Sequence, residues 1–194
     1  MTVLQANTHS FFKNSYNMKS IHLILLSLIV IYSNKPGKAM SQEVYDDVCA
    51  VPESSQFDFW IGEWKATWVD QEGNTQTGKN LIRRILGGCT IEENFSTSDG
   101  SFIGRSYSVY NSRKGIWEQT WVDNSGSYLA LKGGLEGEKM ILSLEGITKE
   151  GKKVIQRMVF YDIKGDAFTW DWENSTDEGS TWNLQWRIYY TRIN

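Results

Sequence analysis

Apolar and polar residues alternate along most of the chain beyond residue 57, with the period of two that is typical of β-strands. In the first such run Trp64, Ala66 and Trp68 share one side, and charged or polar residues occupy the other. Nine turn signals, each containing glycine, separate about ten such runs. No run has a clear helical period, so the pattern predicts an all-β fold.

The connections between these predicted strands are short. Sequential antiparallel strands with short turns favour an up-and-down barrel, because a sandwich needs longer crossovers. No proline follows Pro52, as expected if every strand is paired on both sides. We therefore predict a single antiparallel up-and-down β-barrel of about ten strands over residues 57–194, preceded by a lead-in at residues 40–56.

Tryptophan marks the face that we expect to point inward. The chain has 9 tryptophans, a heavy load for a small domain. They either fill a solid core or line a cavity for a flat or apolar ligand, and a barrel of this width is large enough to leave one. On the last strand Trp182, Leu184, Trp186, Ile188 and Tyr190 fall on the same face. Candidate cavity residues on this basis are Trp68, Gln119, Trp121, Trp170 and Trp186.

Two arginines lie among apolar residues of the same parity. Arg105 precedes Tyr107, and Arg157 precedes Tyr161, each pair on one predicted strand. If these faces point inward, each guanidinium needs an anionic partner, and a ligand carboxylate would supply one. If the opposite faces point inward, both arginines lie in solvent. Both orientations remain open, and the four residues are added to the candidate ligand-binding set.

The first 39 residues have the pattern of a signal peptide. The apolar run Ile21 to Tyr32 is too short to span a bilayer as a helix, and Gly37 and Ala39 are small residues suited to cleavage after Ala39. Met18 is the expected true start. We predict a secreted or periplasmic protein without stable membrane insertion after cleavage; the alternative is an uncleaved membrane anchor.

Charge and histidine content exclude several functions. All 23 acidic residues lie beyond residue 42, so the mature surface is negative and nucleic acid is not an expected partner. Both histidines, His9 and His22, lie in the predicted signal peptide. The mature domain therefore has no Ser-His-Asp triad and no histidine ligand for zinc or haem, and we expect no metal and no cofactor.

Cys49 and Cys89 are the only cysteines. An exported protein meets an oxidising compartment, which favours a disulfide over the alternative of two free thiols. Closing a loop of this length would stabilise the fold by roughly 4 kcal/mol in the chain-entropy model.

The segment from Ser175 to Trp182 matches the Asp-box pattern Ser-x-Asp-x-Gly-x-Thr-Trp and resembles the repeated hairpins of sialidase propellers. It occurs once here, whereas a propeller requires it at regular intervals. The resemblance implies a rigid hairpin with structural roles for Asp177, Gly179 and Trp182.

The two ends of the domain resemble the calycin superfamily, which includes the lipocalins. Gly62-x-Trp64 opens the first strand and Arg192 closes the last, and in that superfamily a basic residue lies across the tryptophan ring. The start Phe57-Asp58-Phe59-Trp60-x-Gly62-x-Trp64 resembles an uncharacterised bacterial family of secreted lipocalin-like domains. This likeness implies a barrel, with structural roles for Trp60, Gly62, Trp64 and Arg192. It transfers little function.

Three hypotheses follow. The first is a binding protein for a small hydrophobic or aromatic ligand, including one that carries a carboxylate. The second is a cofactor-free lyase or isomerase acting on an aromatic acid through tyrosine, arginine and a glutamate such as Glu118. The third is a solid-cored structural or interaction module. The residues favour binding over catalysis; the ligand and the oligomeric state remain open.

Overall fold

The structure is a computed structural model that describes Cys49 and residues 51–193. The expected signal peptide and its cleavage site lie outside the described residues. Within this part of the chain, no helix is both long and apolar enough to cross a membrane.

Ten antiparallel strands form one closed barrel in which each strand pairs with its sequence neighbours and β1 also pairs with β10. The prediction of an all-β up-and-down barrel is therefore confirmed. The strands are β1 (Gly62–Val69), β2 (Thr75–Ile85), β3 (Thr90–Thr97), β4 (Ile103–Asn111), β5 (Ile116–Asp123), β6 (Tyr128–Glu136), β7 (Lys139–Ile147), β8 (Lys153–Tyr161), β9 (Ala167–Ser175) and β10 (Asn183–Arg192).

An aromatic plug, formed by residues 57–60, closes one end of the barrel. It follows the short 3-10 helix Pro52–Ser55 and includes a second 3-10 turn, Asp58–Trp60. Phe57 and Trp60 are buried, and the Phe57 ring packs edge-on against Trp117 at 4.9 Å and Phe160 at 5.4 Å. These contacts bury the plug against β5 and β8.

A disulfide and an arginine connect the residues before the plug to this end of the barrel. Cys49 and Cys89 form a disulfide, which confirms that prediction. Arg84 pairs with the Asp58 carboxylate and donates to the carbonyl oxygens of Ser54 and Gly88, each at 2.7 Å. One guanidinium group thus joins β2, the loop after it and the plug.

The barrel is also closed through Trp64 and Arg192. The Arg192 guanidinium lies 4.1 Å from the centre of the Trp64 ring, and the Trp64 indole nitrogen donates to the carbonyl of Trp60 at 2.7 Å. Gly62 has φ of +138°, and a Cβ there would collide with the Arg192 guanidinium. Glycine at this position therefore makes room for the arginine as well as permitting the backbone conformation.

A β-bulge changes the face assignment at the start of β10. Leu184 pairs with Glu173 and Trp186 pairs with Trp172, so Gln185 is the extra residue. Because side chains alternate, an extra residue reverses the faces of everything before it. The prediction that Trp182 and Leu184 point inward is wrong: Leu184 is exposed, and Trp182 packs 3.6 Å from the Arg157 guanidinium carbon.

The β9–β10 hairpin is held by Asp177. Its carboxylate accepts hydrogen bonds from the backbone amide of Thr181 at 2.9 Å and the Thr181 hydroxyl at 2.6 Å. The Ser175 hydroxyl accepts from the Gly179 amide at 2.8 Å. Hydrogen bonds led by the Thr181 hydroxyl lower the pKa of Asp177 to about 2. The turn is thus tied by its own side chains, as the motif implies.

Candidate functional site

A cavity of about 300 Å³ lies inside the barrel, above the aromatic plug. Trp60 of the plug lines its lower part, and Phe102 and Ser127 belong to hairpins at the opposite end. The volume is at the lower limit for small-molecule sites, which suits a ligand of one or two rings. The lining comprises Trp60, Glu93, Phe95, Phe102, Trp121, Asp123, Ser127, Leu129, Gln156, Met158, Phe160, Trp170, Trp172, Trp186, Ile188 and Tyr190.

Aromatic rings make up much of the wall. Trp186 stands edge-on to Trp170 at 5.7 Å and to Phe95 at 6.0 Å. Phe102 is stacked with Trp121 at 6.3 Å. Rings packed in these geometries hold one another in place. The cavity therefore presents several preformed aromatic surfaces on which a ligand can stack.

One acidic side chain is buried in this aromatic surrounding. Glu93, on β3, is 7% exposed and accepts a hydrogen bond from the Asn80 amide at 2.7 Å and from the Ser106 hydroxyl at 2.6 Å. Burial raises the pKa of Glu93 to about 7, since desolvation outweighs these two donors. The carboxyl group is therefore partly ionised near neutral pH.

Further polar side chains line the cavity, among them those of Tyr190, Trp60 and Asp123. Tyr190 lies 3.4 Å from the Asn80 amide nitrogen, and burial together with the nearby Glu93 raises its pKa. The indole nitrogen of Trp60 has no hydrogen-bond partner among the described residues. Asp123 accepts from the Trp121 indole at 2.9 Å. Despite desolvation, hydrogen bonds from Ser125, Trp121 and Ser127 lower the pKa of Asp123, so it is ionised.

Five of the candidate ligand-binding residues point into the barrel. Trp121, Trp170 and Trp186 line the cavity itself. Trp68 lies behind the wall, edge-on to Trp186 at 5.4 Å. Gln119 is buried and donates to the Ser108 hydroxyl at 2.8 Å. The tryptophan face thus identified the cavity wall from sequence.

The other four candidates lie on the outer face. On β4 the buried residues are Ser106 and Ser108, so Arg105 and Tyr107 point outward and are exposed. The small side chains of Ser106 and Ser108 leave room inside the barrel for the large rings of neighbouring strands. β4 therefore packs with these residues inward. Of the two orientations that the sequence left open, the structure has the one in which Arg105 and Tyr107 face away from the cavity.

The β8 candidates form pairs with their outer-face neighbours. Arg157 bonds to the Glu173 carboxylate at 2.7 Å, and the Tyr161 hydroxyl donates to Asp171 at 3.2 Å. Asp171 is also held by Arg187 at 2.6 Å. Of the two orientations left open for Arg157 and Tyr161, the structure likewise has the outward one, because Met158 and Phe160 take the inner positions.

These placements separate the residues of the lyase hypothesis. Glu118 also lies on the outer face, where it pairs with Lys114 at 2.7 Å. Tyrosine, arginine and glutamate of that set do not converge on the cavity, and among the residues that the structure describes no arginine or lysine lines it.

Sequence reasoning missed the polar centre of the cavity. Glu93 lies between Ile91 and Phe95 on one face of β3, the same pattern of a charge among apolar neighbours that drew attention to the arginines. Asn80 is likewise flanked by the inward Gly78 and Ile82. That signal was present. Only the register, which places Ser106 opposite Glu93, shows that these groups meet.

Comparison with known proteins adds little to this geometry. No protein-family model matches the chain, and no curated protein matches its sequence. A solved structure that does match is described as EF1p2_mFAP2b bound to DFHBI. It is 12% identical, with a TM-score of 0.37, over 73% of this chain and 99% of the other.

Proposed function

We propose that this protein binds a small hydrophobic or aromatic ligand inside its barrel, after export to the periplasm or the cell exterior. The observation that carries the proposal is the cavity of about 300 Å³ walled by tryptophan and phenylalanine rings. Aromatic walls with a few placed polar groups are the usual lining of small-molecule sites. The Cys49–Cys89 disulfide supports export, since such bonds persist in oxidising compartments.

The energetics favour binding of modest strength. Burying on the order of 200 Å² of ligand surface at about 25 cal/mol per Å² yields roughly 5 kcal/mol before the cost of association. Stacking on preformed rings adds about 1 kcal/mol per ring. A one- or two-ring ligand is therefore expected to bind in the micromolar to millimolar range.

A carboxylate anchor is not part of the proposal. Arg105 lies outside the barrel, and Arg157 is already paired with Glu173. Moving a carboxylate into a cavity that contains Glu93 and Asp123 would bring like charges together. The proposed ligand therefore binds chiefly through its apolar body.

Uptake of the neutral dye prodan, whose emission shifts to the blue in an apolar site, tests the proposal. We expect saturable uptake at one dye per chain, reduced by Leu129→Trp, because Leu129 lines the cavity. Ala130→Trp is the matched control, since Ala130 is the next residue on β6 and is exposed. Equal uptake by both variants, or none by the folded wild type, would contradict the proposal.

A further inference from the structure

The charges around the cavity have one sign. Glu93 and Asp123 line it, whereas no lysine, arginine or histidine among the described residues does. The arginines of the neighbouring outer face are engaged elsewhere: Arg157 with Glu173 and Arg187 with Asp171. Nothing in the described lining therefore balances the two carboxyl groups.

The Glu93 carboxylate is a hydrogen-bond acceptor that two neighbouring side chains hold in place. Asn80 and Ser106 each donate one hydrogen bond, to different carboxylate oxygens, and so fix the orientation of the group. A carboxylate accepts up to about four hydrogen bonds, so two positions remain for a ligand. Glu93 is one of the residues that line the cavity.

The surrounding rings suit a positive group as well as an apolar one. A cation within about 6 Å of a tryptophan face gains roughly 0.5–2 kcal/mol, more where water is excluded. Trp121, Trp170, Trp172 and Trp186 all line the cavity that contains Glu93. A carboxylate and several indole rings in one cavity are a combination that suits an organic ammonium group.

We propose that the cavity selects aromatic ligands that carry a protonated amine, with the ammonium group bound by Glu93 and the ring held between the tryptophans. This inference rests on the proposed function and names its ligand class. A carboxylate ligand, considered above as a partner for inward-facing arginines, carries the opposite charge. Neutral aromatics still enter, but with lower affinity, and carboxylic acids bind weakest.

The test compares three ligands with the same phenyl ring: phenethylamine, phenethyl alcohol and hydrocinnamic acid. Each is titrated into the full-length protein at pH 8, where Glu93 and the amine are both charged, with tryptophan fluorescence and calorimetry as readouts. We expect the amine to bind about tenfold more tightly than the alcohol, and the acid to bind more weakly than the alcohol.

Glu93→Gln should reduce amine affinity about tenfold, to that of the alcohol. Glu92→Gln is the matched control, because Glu92 precedes Glu93 on β3 and its carboxylate pairs with Arg83 on the outer face. Should Glu93→Gln not fold, the wild type still decides, since lowering the pH to 5.5 protonates Glu93 and should weaken amine binding about tenfold. Tyr190 and Asp123, the other titratable groups of the lining, have pKa values displaced away from this range.

The outcomes separate the two proposals. Equal affinity for amine and alcohol, unaffected by Glu93→Gln or by pH, would overturn the amine selectivity and leave aromatic binding intact. Failure of the folded protein to bind any of the three ligands, and prodan as well, would overturn the proposed function and this inference together.

Discussion

Arg192 lies across the ring of Trp64, with 4.1 Å between the guanidinium carbon and the ring centre, and joins the last strand to the first. The same side chain donates to the carbonyl oxygens of Ile61 at 2.8 Å and Gly165 at 2.9 Å. It therefore links β10, β1 and the β8–β9 loop at the end that the plug closes.

Replacing this arginine should destabilise the barrel. Arg192→Met removes the contact with Trp64 and leaves the carbonyl groups of Phe59, Ile61 and Gly165 without this donor, so we expect the free energy of unfolding to fall by about 3 kcal/mol. Urea unfolding followed by tryptophan fluorescence measures the change. Arg113→Met, in an exposed turn, is the control and should change stability by less than about 0.5 kcal/mol. Similar values for the two variants would refute the structural role of Arg192.

The disulfide should contribute through the unfolded state. Cys49 and Cys89 are 40 residues apart, and closing such a loop stabilises by about 4 kcal/mol in the chain-entropy model. We expect dithiothreitol to lower the melting temperature of the wild type and to leave the Cys49→Ser/Cys89→Ser variant unaffected. A melting temperature that does not respond to reductant would contradict this prediction.

The cavity wall depends on a close approach at Gly104. A Cβ added there would overlap the Trp121 ring, and forcing a core ring aside costs about 1–3 kcal/mol. Gly104→Ala should therefore reduce stability and shift the fluorescence of the protein. Gly134→Ala is the control, because nothing lies within 4 Å of a Cβ added on β6 at that position. Indistinguishable unfolding curves for the two alanine variants would show that Trp121 is not held as described.

Glu93 should make stability fall as the pH rises from about 4.5 to about 7. The folded state binds this proton more tightly than the unfolded state, because burial raises the pKa from 4.5 to about 7. Stability is therefore highest while both states are protonated and declines as the unfolded state loses its proton first, by about 3 kcal/mol over this window. In Glu93→Gln the decline should be absent. Parallel pH profiles for wild type and variant, from urea unfolding, would exclude the buried carboxyl group as the cause.

The fold could be predicted because its determinants are local and repeated. Period-two alternation specifies strands, short glycine-containing turns specify neighbours, and the Gly62-x-Trp64 signature with Arg192 specifies where the sheet closes. None of these features requires knowledge of distant contacts. This is why an up-and-down barrel of about ten strands followed from the pattern.

The site was predicted in part, because side-chain direction depends on register. Trp121, Trp170 and Trp186 were found, since tryptophan dominates its face of the strand. Parity alone left two orientations for Arg105 and Arg157, and packing of the inner side chains on β4 and β8 put both arginines on the outer face. The inward orientation predicted for Trp182 was wrong because the extra residue Gln185 reverses which side chains face inward before it. No residue type in the sequence identifies such a bulge.

The most direct test of a ligand site inside the barrel uses the indole N–H signals in ¹H–¹⁵N spectra of the tryptophan-labelled protein during titration with phenethylamine. We predict saturable shifts at the cavity tryptophans Trp60, Trp121, Trp170, Trp172 and Trp186, all of which line the cavity. Trp182, which packs against Arg157 on the outer face, should not shift. Shifts confined to Trp182, or shifts that do not saturate at any indole, would contradict a binding site inside the barrel.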